Sequence, residues 1–158
     1  MKTVNIVLVG LGGQGIVTAS DILADAAFRA GFDVKKAEVH GMSQRGGSVR
    51  TDVRFGSAVL SPITPAASAD VVLSMDPSQE PAAEQLRRAD GGVILSPSAL
   101  EGLQLPSPKT ATVAMLGALS RHLEIPEDAW KAALAAVFPE KILGMNLEAF
   151  AIGRGAAA

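Results

Sequence analysis

The amino-acid sequence predicts an α/β domain: a Rossmann-like, three-layer arrangement with a mostly parallel sheet and an antiparallel hairpin at one edge. Three observations predict it. An apolar run at residues 4–9 breaks into Gly-Leu-Gly-Gly-Gln-Gly at 10–15, and a helical pattern begins at Ile16. Further short apolar runs at 71–75 and 93–95 are the length of strands buried on both faces, and Val34 to Val39 reads as the second strand. Gly56-Ser57 stands between runs at 49–55 and 58–60, which is a two-residue hairpin signal.

The elements follow in order. After the first strand, Ile16, Ala19, Ile22, Leu23, Ala26, Ala27 and Ala30 recur at helical spacing, and Gly31 supplies a stop. The run at 34–39 completes a βαβ unit. Residues 81–89 read as a short helix with Glu80 and Glu84 early and Arg87 and Arg88 late, an order that suits the helix dipole. Residues 96–109 carry three prolines and read as a connector. A helix of small residues is expected over 110–123, and another starts near Pro126 with Glu127 and Asp128 in its first turn and Trp130 in the core. Asn146 is expected to cap a last short helix. Residues 1–155 are expected to form one domain, with a frayed tail at 156–158.

Composition narrows the function. The 158 residues carry a formal net charge of −2, so no basic excess points to nucleic acid or an anionic membrane. Cysteine is absent, which excludes disulfides, thiol catalysis and protein-ligated iron–sulfur clusters, since even the Rieske type needs two. The two histidines, His40 and His122, show no zinc spacing, and no metal site is expected on this chain. The N-terminal apolar run is shorter than the core of a signal peptide and no run reaches transmembrane length, so a cytoplasmic protein is expected.

Two loops carry the candidate site. Gly10, Gly12 and Gly15 match Gly-x-Gly-x-x-Gly between a strand and a helix, where absent Cβ atoms permit a tight turn and helix-start N–H groups face an anion. Gly13 and Gln14 make this loop unusually bare and polar. Glu38 lies roughly 20 residues after Gly15, where a dinucleotide site places its ribose acid. The same glycines also serve a helix that packs closely on its sheet, or a loop that meets a partner's backbone, and the spacing leaves these readings open.

The second loop holds His40, Ser43, Gln44, Arg45, Gly46 and Gly47, with Met42 as a packed residue or an anchor. It follows the second strand, so both loops are expected at the carboxyl end of the sheet, the usual ligand side. Arg50, Asp52 and Arg54 alternate onto one face, as a docking surface or a solvated edge, and Asp52 is placed to pair with either arginine. Asp76 ends the strand at 71–75, either as a turn residue before Pro77 or facing the crevice. No positioned proton-transfer pair is visible, so no residue is designated catalytic.

The string Gly-Leu-Gly-Gly-Gln-Gly-Ile, with Glu-Val-His-Gly-Met-Ser-Gln-Arg-Gly-Gly-Ser at 38–48, resembles the gamma domain of the 2-oxoacid:ferredoxin oxidoreductases. Within that group it is most similar to the small (beta) subunit of the indolepyruvate type. The likeness extends through residues 53–56, 69–73 and 116–119 to the Asn-Leu-Glu-Ala-Phe-Ala-Ile-Gly ending at Gly153. Against the family pattern, the 96–109 connector is short and Thr112 stands in place of Asn.

The resemblance implies a pyruvate/ketoisovalerate oxidoreductase gamma-type domain that supports oxidative decarboxylation of aryl 2-oxoacids to acyl-CoA, with ferredoxin as acceptor. It implies that thiamine diphosphate, magnesium and the iron–sulfur clusters belong to a large alpha subunit, with CoA as co-substrate of the complex. Gly10 to Gly15, Glu38 and the residues from His40 to Gly47 would then bind a cofactor group or dock the partner, with Arg45 as an anion clamp. The alternatives are a free-standing Rossmann-like nucleotide- or CoA-binding module and a structural homo-oligomer without a ligand.

Overall fold

The computed structural model describes residues 2–40 and 47–156. Its five strands are β1 (Val4–Leu11), β2 (Asp33–His40), β3 (Ser48–Gly56), β4 (Val71–Ser74) and β5 (Val93–Leu95), ordered β2-β3-β1-β4-β5 across one sheet. The β1–β4 and β4–β5 pairs are parallel, whereas β3 is antiparallel to both β1 and β2. Four of the five strands therefore run the same way, and the antiparallel pair lies at one edge, as expected.

That pair is built differently from the sequence reading. It consists of β2 and β3, joined through the second loop, with Asp33 opposite Gly56 and His40 opposite Val49. Residues 58–60 form no strand. The reason is local: Val59 turns its N–H to the Asp33 carboxylate at 2.7 Å, and Leu60 projects into solvent at 98% exposure. The βαβ unit is corrected as well. Its strands β1 and β2 are parallel but not neighbours, because β3 is inserted between them.

The helices are α1 (Ile16–Arg29), α2 (Glu80–Leu86), α3 (Ala111–Ser120), α4 (Glu127–Val137) and α5 (Glu140–Ala156). Four of them cover one face. Ile22 and Leu23 of α1, Met115, Leu116 and Leu119 of α3, Trp130 and Leu134 of α4 and Phe150 of α5 share one core with Ile6, Leu8, Val53 and Leu73 of the sheet. The Trp130 and Phe150 rings meet at 5.5 Å between centroids. Each such fully buried large side chain contributes about 1.5–3 kcal/mol. The opposite face has a smaller core of Val7, Val9, Ala69, Val72 and Ala83, covered by α2. The three layers are thus present but unequal.

Three helices depart from their expected bounds, α3 among them, which ends at Ser120 and not at residue 123. The helix expected over 81–89 stops at Leu86 because the chain there becomes extended and bridges the main chain at Ala69: Ala69 donates to the Leu86 carbonyl and Arg88 donates to Ala69, both at 3.0 Å. Asn146 caps nothing. It is buried inside the 17-residue α5, where its side-chain amide donates to the Ile142 carbonyl. The start is supplied earlier, where the Pro139 carbonyl accepts from Ile142 and Leu143 and Glu140 occupies the first turn.

Helices α3 and α5 touch backbone to backbone. A Cβ on Gly153 would stand 1.8 Å from the Ala114 carbonyl oxygen, and one on Gly117 would stand 2.1 Å from that of Phe150. Only glycine permits this approach. Beside it, Arg154 donates to the Ser120 hydroxyl at 2.7 Å.

Candidate functional site

The topology fixes where a ligand or partner could meet this domain. From β1 the chain crosses to β2 through α1 on the large-core face; from β4 it crosses to β5 through α2 on the other face. The strand order thus reverses between β1 and β4, and their carboxyl ends frame the crevice where α/β sheets hold ligands.

The glycine loop fills that crevice. Gly13 and Gly15 adopt φ of 88° and 78°, the left-handed region that side chains disfavour, and Gly15 starts α1 in that conformation. Gly10 answers a different need, since a Cβ there would meet Ile16 Cδ1 at 2.7 Å and Gln14 Oε1 at 2.8 Å. The Gln14 side chain folds back over the turn: Oε1 accepts from the Leu11 N–H at 2.7 Å and Nε2 donates to Asp76 Oδ1 at 2.9 Å. Its carbonyl accepts from the Thr112 hydroxyl at 3.1 Å. The loop is held from β4 and from α3 at once. An open groove runs along its outer side, lined by Gly12, Gly13, Ile16, Val17 and Val49.

The second loop meets the first directly: the Gly12 N–H donates to the Gly47 carbonyl at 3.0 Å. The two sequence motifs adjoin because Gly47 leads into β3, which lies beside β1. Ser43, Gln44, Arg45 and Gly46, with Met42, lie outside the described residues. His40 ends β2. Glu38 sits on β2, two strands from β1 or about 10 Å across the sheet, and accepts from Lys36 at 2.8 Å. The structure therefore brings Gly10, Gly12, Gly13, Gln14, Gly15 and Gly47 together and sets Glu38 apart from them.

The arginine face is not a solvated edge. Arg50 donates to both carboxylate oxygens of Asp52, at 2.7 and 2.9 Å, and Asp52 is fully buried, also accepting from the Thr64 N–H at 2.8 Å. Arg54 donates to the Asn5 side chain at 2.7 Å and to the carbonyls of Ser61 and Ile63. Both arginines thus have structural partners. A groove above Arg50 is lined by Val9, Val39, Gln79, Ala82 and Leu86, with Val39 exposed at its edge.

Asp76 satisfies both sequence readings. It caps the turn Pro77–Gln79 through the Ser78 N–H and hydroxyl, and it faces the crevice through Gln14. Hydrogen bonds from the Ser78 side chain, the Ser78 N–H and Gln14 hold its carboxyl below the ordinary value. Burial works to lower the Lys36 ammonium on β2, but hydrogen bonds to Asp21 and Glu38 outweigh it and hold the group above its usual value. Among the described residues no group of three or more His, Asp or Glu side chains is placed to hold a metal ion. No helix of the described residues is long and apolar enough to cross a membrane.

The family described as pyruvate ferredoxin/flavodoxin oxidoreductase matches residues 5–107. The chain is 56% identical over 77 residues to indolepyruvate oxidoreductase subunit IorB of Thermococcus kodakarensis, covering 49% of this chain and 38% of that protein. The match thus spans well under two thirds of that relative. Among solved structures, it resembles a 2-oxoglutarate:ferredoxin oxidoreductase of Magnetococcus marinus, with a TM-score of 0.81 and 24% identity over 99% of this chain and 31% of that one. It also resembles the gamma subunit of a keto/oxoacid ferredoxin oxidoreductase of Geobacter sulfurreducens, with a TM-score of 0.74 and 20% identity over 98% of both chains. At these identities the structural likeness is one of fold.

Proposed function

Because the chain belongs to the pyruvate ferredoxin/flavodoxin oxidoreductase family, we propose that it is the small, non-autonomous subunit of an indolepyruvate-type 2-oxoacid:ferredoxin oxidoreductase. The complex would convert aryl 2-oxoacids to acyl-CoA and carbon dioxide and pass the electrons to ferredoxin. Thiamine diphosphate, magnesium and the iron–sulfur clusters would reside on a large alpha subunit; this chain has no cysteine with which to ligate a cluster. Its residues 1–155 would act as one gamma-type domain in the cytoplasm.

The observation that carries this reading is the hydrogen bond from Gly12 to Gly47, which brings the glycine loop against the last loop residue before β3 at the carboxyl end of β1. Gly12 and Gly13 carry no side chain at that surface, which suits close approach of a partner's backbone or of a CoA phosphate. Arg45, beside it in sequence, would clamp an anion or carboxylate through its planar fork. An Arg45→Ala variant is expected to lower turnover of the complex with little change in the stability of this chain.

A free-standing dinucleotide module needs a ribose acid beside the glycine loop. Here β3 separates Glu38 from β1, and Glu38 is engaged by Lys36. Isothermal calorimetry of the full chain with NAD, FAD and CoA tests this rival, and micromolar NAD or FAD binding would favour it. Anaerobic pull-down of the tagged chain from its native cells tests the proposal: a brown complex with a large thiamine-containing subunit is expected, and a colourless chain recovered alone would contradict it.

A further inference from the structure

Outside both sequence motifs, Asp76 is hydrogen-bonded directly to the glycine loop. It lies just beyond β4, and its Oδ1 accepts from Gln14 Nε2 at 2.9 Å. The other end of that amide, Oε1, accepts from the Leu11 N–H at 2.7 Å. Next to Leu11, the Gly12 N–H donates to the Gly47 carbonyl. A continuous path of hydrogen bonds and one peptide link therefore runs from beyond the β4 end, through Gln14, to Gly47 at the start of β3.

The path is directional in its chemistry. Gln14 is the only side chain of the 10–15 segment able to bridge, since Leu11 and the glycines have no polar side-chain atom. An amide alone serves both ends: its oxygen must accept from Leu11 and its nitrogen must donate to a carboxylate. Asp76 is itself fixed, because Oδ2 accepts from the Ser78 N–H at 3.0 Å and from its hydroxyl at 2.6 Å, which leaves Oδ1 aimed at Gln14. A loop whose Gly13 and Gly15 are free to take many conformations in isolation is thus tied to the sheet by a charge-assisted bond.

We propose that Asp76 is a positioning residue that acts through Gln14, and through the Gly12 bond to Gly47, to hold the glycine loop in the shape in which it meets the partner subunit. The proposal rests on the docking role given above. It assigns Asp76 no contact with substrate or cofactor.

A reciprocal swap tests it. Gln14→Glu puts a carboxylate against Asp76 while keeping an oxygen for the Leu11 N–H. Adding Asp76→Asn restores the bond in reverse: the new amide donates to the new carboxylate, and its oxygen still accepts from Ser78. Two readouts are taken on the full-length protein: amide hydrogen exchange at Leu11, and the dissociation constant for the purified large thiamine- and cluster-bearing subunit. In Gln14→Glu, exchange at Leu11 should quicken and the dissociation constant rise about tenfold, the size of a lost charge-assisted hydrogen bond. The double variant should return both to near wild type.

Wild-type exchange and affinity in Gln14→Glu would overturn the proposal, as would a folded double variant that recovers neither. Quickened exchange with unchanged affinity would show that the latch exists but does not position the loop for docking, and would also overturn it. If the wild-type chain forms no complex, the proposed function itself fails and this role falls with it, an outcome distinct from any behaviour of the variants.

Discussion

The backbone N–H of Gly12 donates to the carbonyl of Gly47 at 3.0 Å, although the two residues belong to loops that follow different strands. Parallel neighbours would have sufficed to bring such loops together, but here β1 and β2 are kept apart by β3. It is the antiparallel return of β3 along β1, with Leu11 opposite Ser48, that delivers Gly47 to the glycine loop. The same insertion carries Glu38 away from the crevice, so one topological feature joins Gly47 to the glycine loop and separates Glu38 from it.

Gly153→Ala should destabilise the protein severely. The added methyl would lie 1.8 Å from the Ala114 carbonyl oxygen, and a helix backbone cannot yield as a flexible side chain would. The expected loss is about 3 kcal/mol or more, at the upper end for overpacking. Urea unfolding followed by the emission of Trp130, the single tryptophan, measures it.

Gly144→Ala should do the opposite. This glycine lies in the same helix, α5, with nothing within 4 Å of a built Cβ. Replacing it should stabilise the protein by about 0.5–1 kcal/mol through the helix preference of alanine. The same urea titration, run side by side, separates packing from propensity.

Asp52→Ala should loosen the segment that crosses β3. The substitution strands the Arg50 guanidinium and the Thr64 N–H together. Because the Arg50 side chain is 31% exposed and water can reach it, the expected cost is about 2–3 kcal/mol, short of a fully buried pair. Hydrogen exchange should quicken at Thr64 well before it does in β1.

Asp76 and Asp33 set a common direction for acid sensitivity. The carboxyl of Asp76 is lowered by Ser78 and Gln14, that of Asp33 by the Val59 N–H and Lys35. A folded-state value below the unfolded one means stability that is present above the ordinary carboxylate value and is lost as pH falls through the folded value. Their contribution should therefore be full and independent of pH near neutrality and decline only in acid. Asp76→Asn and Asp33→Asn should each flatten the acid limb of the unfolding midpoint plotted against pH; an unchanged limb would count against these bonds.

Much of this was legible because the signals are local. The run ending at Gly10, the helical spacing after Ile16 and the burial of Trp130 each follow from a few adjacent residues, and each element formed where expected. The insertion of β3 was not legible, since strand order is decided by packing among distant segments and leaves no mark on the alternation of residues 49–55. Gly56-Ser57 carries the chemistry of a tight turn, yet the competing bond from Val59 to Asp33 draws the chain elsewhere. Asn146 resembled a cap because capping residues and buried helix amides share a composition. In the site, the glycines announced themselves, whereas the role of Asp76 depends on Gln14, 62 residues away, a distance no local pattern spans.

The proposed function makes this chain dependent on a thiamine- and cluster-bearing partner. Its most direct test is anaerobic dye reduction by indolepyruvate and CoA, assayed with the purified large subunit alone, with this chain alone and with the two combined. Turnover is expected only in the combined sample, together with a stable brown complex on gel filtration. Full turnover by the large subunit alone, or no association between the two, would contradict it.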